Sequence, residues 1–239
     1  MKLDVLVFAA HPDDAELSCS GTIASLVTQG KKVGIVDFTR GELGTRGTPE
    51  LREEEAKLAA QILGITIREN LGFDDGFFII DRTHQLVLIQ TIRKYCPEIV
   101  LANAIRDRHT DHGRAAELAR EACFLSGLKK INTFSEQGKK QEAWRPRVLY
   151  HYIQDYHLKP SFVVDITPYW KTKMESVQAF KSQFFDPESD EPTTPISTPE
   201  FVNFLEGRAR EMGRMIGVEF GEGFIKATPP GIRNLFDLL

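Results

Sequence analysis

Residues 3–16 read LDVLVFAAHPDDAE. The apolar run that ends at Ala9 reads as a buried strand, and it passes directly into His11, Asp13 and Asp14. A turn needs one Asp or Asn, not three ionisable groups within four residues. Crowding them at a strand end costs solvation and mutual repulsion unless something offsets both. A cation is the obvious candidate.

Strand-like and helix-like stretches alternate outward from this point. KVGIVDF (32–38) reads as a second strand, TIRENLGF (66–73) as a short third and EIVLANA (98–104) as a fourth. Residues 17–29, 49–63, 84–95 and 111–126 read as helices, three of them closed by Gly30, Gly64 and Gly127. PELREEEAKLAAQIL (49–63) is the strongest, with Pro49 near its start and acids in the first turns. This order predicts an α/β fold, a doubly wound and mainly parallel sheet with helices on both faces. Further on, RVLYHYI (147–153) and SFVVDIT (161–167) read as strands, and 168–184 and 199–216 as helices. Between those helices DPESDEPTTPISTP (186–199) reads as a loop over the site or a subunit contact. The chain is expected to form one domain over 1–239. Its core spans about 1–128, and the strands and helices of 147–239 complete the site and make oligomer contacts.

With 41% hydrophobic and 27% charged residues and a net charge of −4, the composition is that of an ordinary globular protein. No basic face points to nucleic acid. No run approaches the roughly 18 apolar residues of a membrane span, and MKLDVLVFAA lacks a signal peptide's length and cleavage site. The expected compartment is cytoplasmic. Cys19, Cys96 and Cys123 are odd in number and form no CxxC, so they read as core-like thiols in a reducing environment.

In open parallel sheets, ligands bind beyond the carboxyl ends of the strands, near a topological switch point. His11 to Asp14 follow the first strand, and residues 106–112 follow the fourth. Both loops therefore open on one edge. The second, IRDRHTDHGRAAELA (105–119), supplies His109 and His112, with Thr110 able to cap the next helix. Catalytic zinc sites keep three protein ligands and one open position; His11, Asp14 and His112 would make such a set. Asp13 then remains as a general base for a metal-bound water. A protonated His109 remains to stabilise an oxyanion. The plainer reading is an Asp-capped helix start at Asp13 or Asp14 and solvated histidines. A His₂Asp set accepts iron(II) as well as zinc.

AHPDDAE and RHTDH resemble the two metal motifs of the PIG-L/LmbE-type zinc de-N-acetylases. The resemblance continues through residues 39–60, NLGFDDG (70–76), HLKPSFVVDIT (157–167), KSQF (181–184) and GEGF (221–224), nearly the whole chain. It is nearest to the bacillithiol branch, which removes acetate from N-acetylglucosaminyl malate. The resemblance implies a Rossmann-like fold, His11, Asp14 and His112 as zinc ligands, Asp13 as base and His109 as the charged imidazole. It further implies that Arg52 reaches the sugar, that Asp75 meets sugar hydroxyls and that Asp111 orients a neighbouring imidazole. It raises Arg108 as a substrate contact and implies a homo-oligomer, up to a hexamer. Thr110 departs from the family's usual Pro, and both suit a helix start.

Arg40, Arg46, Arg52, Arg106 and Arg108 cluster near the two loops. Arginine forks pair with carboxylates, so a dicarboxylate aglycone such as malate would give them a purpose; ion pairs with Glu42, Glu53 and Asp107 are the alternative. GELGTRG (41–47) matches neither a P-loop nor a dinucleotide fingerprint. Ser18 and Ser20 lack a nucleophile elbow. The expected partner is a small N-acetylated amino-sugar substrate. Two rivals stay open: another N-acetylated amide, and a non-catalytic metal-dependent carbohydrate-binding protein.

Overall fold

Val5–Ala9 (β1) is at most 2% exposed at every residue and lies in the interior of the sheet. Its side chains alternate between two cores. Leu6 and Phe8 face one layer, and Val5, Val7 and Ala9 face the other. A strand covered on both sides must be apolar throughout, which is why the run does not alternate with polar residues. Each such side chain contributes roughly 1.5–3 kcal/mol by leaving water.

The computed structural model describes residues 1–185 and 189–237. After β1 the chain forms α1 (Asp14–Thr28), β2 (Val33–Thr39), α2 (Pro49–Leu63), β3 (Ile67–Phe73), α3 (Arg82–Tyr95), β4 (Ile99–Ala102) and α4 (Thr110–Leu125). There follow β5 (Val148–Tyr152), β6 (Phe162–Asp165), α5 (Trp170–Gln178), α6 (Pro199–Ile216) and β7 (Gly221–Ile225). The strands make one sheet in the order β3-β2-β1-β4-β5-β7-β6. Only the two pairings of β7 are antiparallel. The predicted doubly wound, mainly parallel α/β fold is the one observed. Helices α3 and α4 cover one face. Helices α1 and α2 pack on the other, with α5 and α6 beyond them. Among the described residues, no helix is long and apolar enough to cross a membrane.

The order reverses at β1, which pairs with β2 on one side and β4 on the other. The crevice beyond the carboxyl ends of β1 and β4 is the switch point, and both histidine loops open there.

Three elements differ from the sequence reading. Helix α1 starts at Asp14 rather than residue 17, because Asp13 adopts a left-handed turn at φ 115° and hands the chain directly into the helix. Inside α1, Cys19 leaves helical geometry at φ −143°. Glu222 receives the amides freed there, from Gly21 at 3.0 Å and Thr22 at 2.7 Å, and Lys173 neutralises it at 2.8 Å. The helix predicted over 168–184 begins as a 3₁₀ turn, Thr167–Tyr169, and α5 ends at Gln178. Past that point Phe180 and Phe184 turn inward against α2 and α6, and Glu55 accepts from Ser182 N at 2.7 Å. Tertiary packing overrides helix propensity there. Strand β7 was not predicted; GEGFI carries two glycines and a carboxylate, so it lacks a strand's signature.

Of the 186–199 loop, residues 186–188 lie outside the described residues. The rest reaches the Gly-rich loop: Arg46 donates to Ser189 Oγ at 2.7 Å, and Gly47 N donates to Glu191 at 2.9 Å.

Candidate metal centre

His11 and Asp14 stand at the end of β1, and His112 stands in the first turn of α4. Asp14 Oδ1 lies 3.0 Å from His112 Nε2, and Asp14 Oδ2 lies 3.6 Å from His11 Nδ1. The structure thus brings the three predicted ligands together. His109 joins them, its ring 4.6 Å from that of His11 and 5.1 Å from that of His112. Asp13 and His109 line the same cavity as the three, about 230 Å³ in volume, with Arg52, Asp75 and Arg108 also on its wall.

Each imidazole of the set is held from behind by carboxylates. His112 Nδ1 faces Asp107 at 2.5 Å, and His11 Nε2 faces Asp75 at 3.1 Å and Asp111 at 3.3 Å. Such outer carboxylates fix the ring's orientation and raise its basicity toward a metal. Asp14 is held by amides: Asn103 Nδ2 and Gln154 Nε2 each donate to it at 2.9 Å. Asn103 also donates to Gln154 Oε1 at 3.0 Å, locking the pair. Sequence reasoning missed Asn103, Gln154 and Asp107. Asn103 follows directly on β4 and Gln154 lies two residues past the end of β5, at the same sheet edge that singled out His11. Asp107 stands out in the sequence only as an ion-pair neighbour of Arg108.

The charges fit a cation. Burial pulls both His11 and His112 down, but Asp111, Asp14 and Asp75 raise His11 well above its ordinary value. Asp14 and Asp107 raise His112 to about 9. A site that draws protons onto two buried imidazoles has a surplus of negative charge. Two neutral-capable imidazoles and a carboxylate, each anchored by a partner, are a suitable donor set for a divalent transition metal.

Asp13 is 5% exposed, and Arg52 is the one group among the described residues that hydrogen-bonds its carboxylate, from Nη2 to Oδ2 at 3.1 Å. Burial pushes its pKa up to about 7, against Arg52, with Asp14 adding to the rise. Its left-handed backbone is unusual for a non-glycine residue, and such strain concentrates at functional sites.

Four expectations need adjustment. Arg52 lines the cavity, yet its guanidinium is engaged inward, donating to Pro12 O at 2.6 Å and Gly41 O at 3.2 Å as well as to Asp13. Asp75 was expected to meet sugar hydroxyls; it holds His11 and accepts from Leu43 N at 2.9 Å. The cap of α4 is His109 rather than Thr110, its Nδ1 accepting from Asp111 N at 3.3 Å. With Nδ1 an acceptor, the ring proton belongs on Nε2. Burial, His11 and His112 lower its pKa, so His109 is set up as a neutral donor rather than a charged one. Asp111 does orient an imidazole, that of His11. Arg108 is half-exposed at the cavity mouth, its Nε 3.4 Å from Asp155.

A family model described as GlcNAc-PI de-N-acetylase, PIG-L, matches residues 6–123. Diacetylchitobiose deacetylase of Thermococcus kodakarensis is 30% identical over 229 residues, 92% of this chain and 81% of its own length. A 4-oxalmesaconate hydratase of Pseudomonas putida is 27% identical over 74% of this chain and 73% of its own. The crystal structure of a conserved protein from Thermus thermophilus superposes with a TM-score of 0.86 at 36% identity, covering 98% of each chain. On these grounds the chain belongs to the PIG-L, or GlcNAc-PI de-N-acetylase, family.

Proposed function

We propose that this chain is a metal-dependent amidohydrolase that removes acetate from the N-acetylglucosamine of a small conjugate. One observation carries the reading: a buried carboxylate, Asp13, and a neutral imidazole donor, His109, line the same cavity as the His11, Asp14 and His112 cluster. A binding-only metal site needs neither.

His11, Asp14 and His112 would hold the cation, zinc or in its place iron(II). When bound, it supplies Lewis acidity and eases deprotonation of water. The chain's own residues do the rest. Asp13 takes a proton from the attacking water and returns one to the departing amine. Arg52 holds that carboxylate in place. His109 donates from Nε2 to the oxygen on which negative charge develops. Asp75, Asp107 and Asp111 keep the two ligand imidazoles oriented.

The substrate proposed first is N-acetylglucosaminyl malate of bacillithiol biosynthesis, because half-exposed Arg108 at the cavity mouth suits a carboxylate-bearing aglycone. Diacetylchitobiose, named for the Thermococcus relative, is the second. The test is acetate release from both, and from free N-acetylglucosamine, by protein of known metal content before and after chelation. Release that stops on chelation and returns with metal supports the reading. No acetate from any of the three, with metal fully bound, would overturn it. Hydration of an oxalmesaconate-like diene acid would then be assayed, since a hydratase is also a relative.

A further inference from the structure

A smaller chamber of about 50 Å³ adjoins the metal-site cavity. Asp14, His112 and Arg108 form part of the wall of both. The chamber is also lined by Arg208 of α6 and by Ser18 of α1. Arg208 is half-buried. Its Nη2 donates to Leu17 O at 3.2 Å, and its guanidinium sits 5.2 Å from the Phe204 ring. Among the described residues no carboxylate lies within 4.0 Å of it.

A cation drawn partly out of water into a chamber wall is ordinarily paired with an acid. The acids around the chamber are already partnered. Asp14 has His112, Asn103 and Gln154. Asp107 has His112 and the backbone amides of Asp155 and Tyr156, Asp155 has Arg108, and Glu222 has Lys173. Burial lowers the Arg208 pKa, and the longer-range charges of Asp155, Glu222 and Asp107, which raise it, do not offset that. Ser18 Oγ, on the same chamber, is buried with no hydrogen-bond partner. A positive group and a hydroxyl thus face a space too small for a sugar ring. It is large enough for a few heavy atoms.

We propose that this chamber is a carboxylate subsite, with Arg208 supplying the positive charge and Ser18 a hydroxyl donor. The assignment rests on the deacetylase reading above. Hydrolysis of an acetamide consumes one water. The C–N bond breaks, the water oxygen becomes a carboxylate oxygen, acetate leaves with one negative charge and the amine leaves protonated. That acetate forms beside the wall the two cavities share, where Arg208 is the cation without an acid. The other source of the same chemistry is a carboxylate carried by the substrate.

The test is calorimetric titration of sodium acetate into metal-loaded protein, with acetamide as the neutral control. Wild type is expected to bind acetate and not acetamide. Arg208→Met should weaken acetate roughly tenfold or more, as loss of a charge-assisted bond implies. Arg208→Lys should keep most of the affinity, and Ser18→Ala should lose a few-fold. Circular dichroism checks that each variant folds. Should acetate binding be unchanged in Arg208→Met while KM rises for N-acetylglucosaminyl malate and not for neutral diacetylchitobiose, the carboxylate is the substrate's. Unchanged acetate binding with no selective change in KM overturns the subsite. The titration needs no turnover, so acetate held through Arg208 by a protein that deacetylates nothing would sink the deacetylase reading alone.

Discussion

Arg52 donates from Nη2 to Asp13 Oδ2 at 3.1 Å and, with the same nitrogen, to Pro12 O at 2.6 Å. The two bonds hold Asp13 in its left-handed backbone and fix its carboxylate at the cavity wall. The family resemblance implies instead that this arginine reaches the sugar. The two roles separate kinetically. Arg52→Met is expected to lower kcat on the order of 10²-fold, the scale of positioned acid–base catalysis, with KM within about threefold of wild type. Steady-state kinetics decide it: a large rise in KM at unchanged kcat would give Arg52 to the sugar.

Gly41 tests the same contact from the other side. Its φ is 66°, and a Cβ there would collide with the Arg52 guanidinium. Gly41→Ala should therefore reproduce the kcat loss of Arg52→Met. It should also destabilise by about 1–2 kcal/mol from the left-handed backbone alone. Urea denaturation and kcat measured together check this. A Gly41→Ala enzyme with wild-type turnover would show that Asp13 needs no arginine behind it.

Asp107 sits at full contact with His112 Nδ1 and is almost wholly buried. Asp107→Asn keeps the shape and removes the charge that makes His112 a strong ligand. The expected result is a 10–100-fold loss of metal affinity, read by competition with a chromogenic chelator. Asp13→Asn, by contrast, should keep its metal and lose turnover. Full metal retention in Asp107→Asn, or metal loss in Asp13→Asn, would reassign the two residues.

The sheet and the two histidine loops were legible in sequence because each rests on a local pattern. An apolar run marks β1, Gly30 and Gly64 close α1 and α2, and ionisable residues at two strand ends mark the site. What stayed hidden depends on contacts distant in sequence. Asn103 and Gln154 are single amides at strand ends, ordinary until they converge on Asp14. The direction of Arg52 is decided by the turn at Gly41. Strand β7 carries Glu222 for the broken amides of α1, a role no strand propensity encodes. Arg208 sits on a helix whose sequence gives no sign that its charge is left without an acid.

Metal removal should separate the two cavities. Chelation is expected to abolish turnover while the fold persists, because Asp14 keeps its bonds from Asn103 and Gln154, and His11 and His112 keep their carboxylates. The metal-free protein should melt cooperatively, at a lower temperature than the loaded form by linkage. Scanning calorimetry with and without chelator measures the shift. Loss of the cooperative transition on chelation would make the metal structural rather than catalytic.

The last prediction concerns how α1 is tied to the sheet. Arg68 on β3 reaches Asp37 of β2 with Nε at 2.8 Å and Nη2 at 3.1 Å, and Glu16 of α1 with Nη1 at 2.5 Å. All three side chains are at most 7% exposed. Glu16 lies two residues past Asp14, so this clamp fixes the start of the helix that carries a ligand. Arg68→Met leaves two carboxylates buried without their cation and should destabilise by about 3–5 kcal/mol. The cost belongs to the stranded charges, not to the loss of attraction, since a buried ion pair gains little over apolar groups of the same volume. Replacing the set together, as Glu16→Leu, Asp37→Val and Arg68→Met, should therefore recover most of the loss. Denaturant titration of the single and triple variants compares them directly. A triple variant no more stable than Arg68→Met would mean that the clamp holds α1 by its geometry, and turnover would then fall with stability in both.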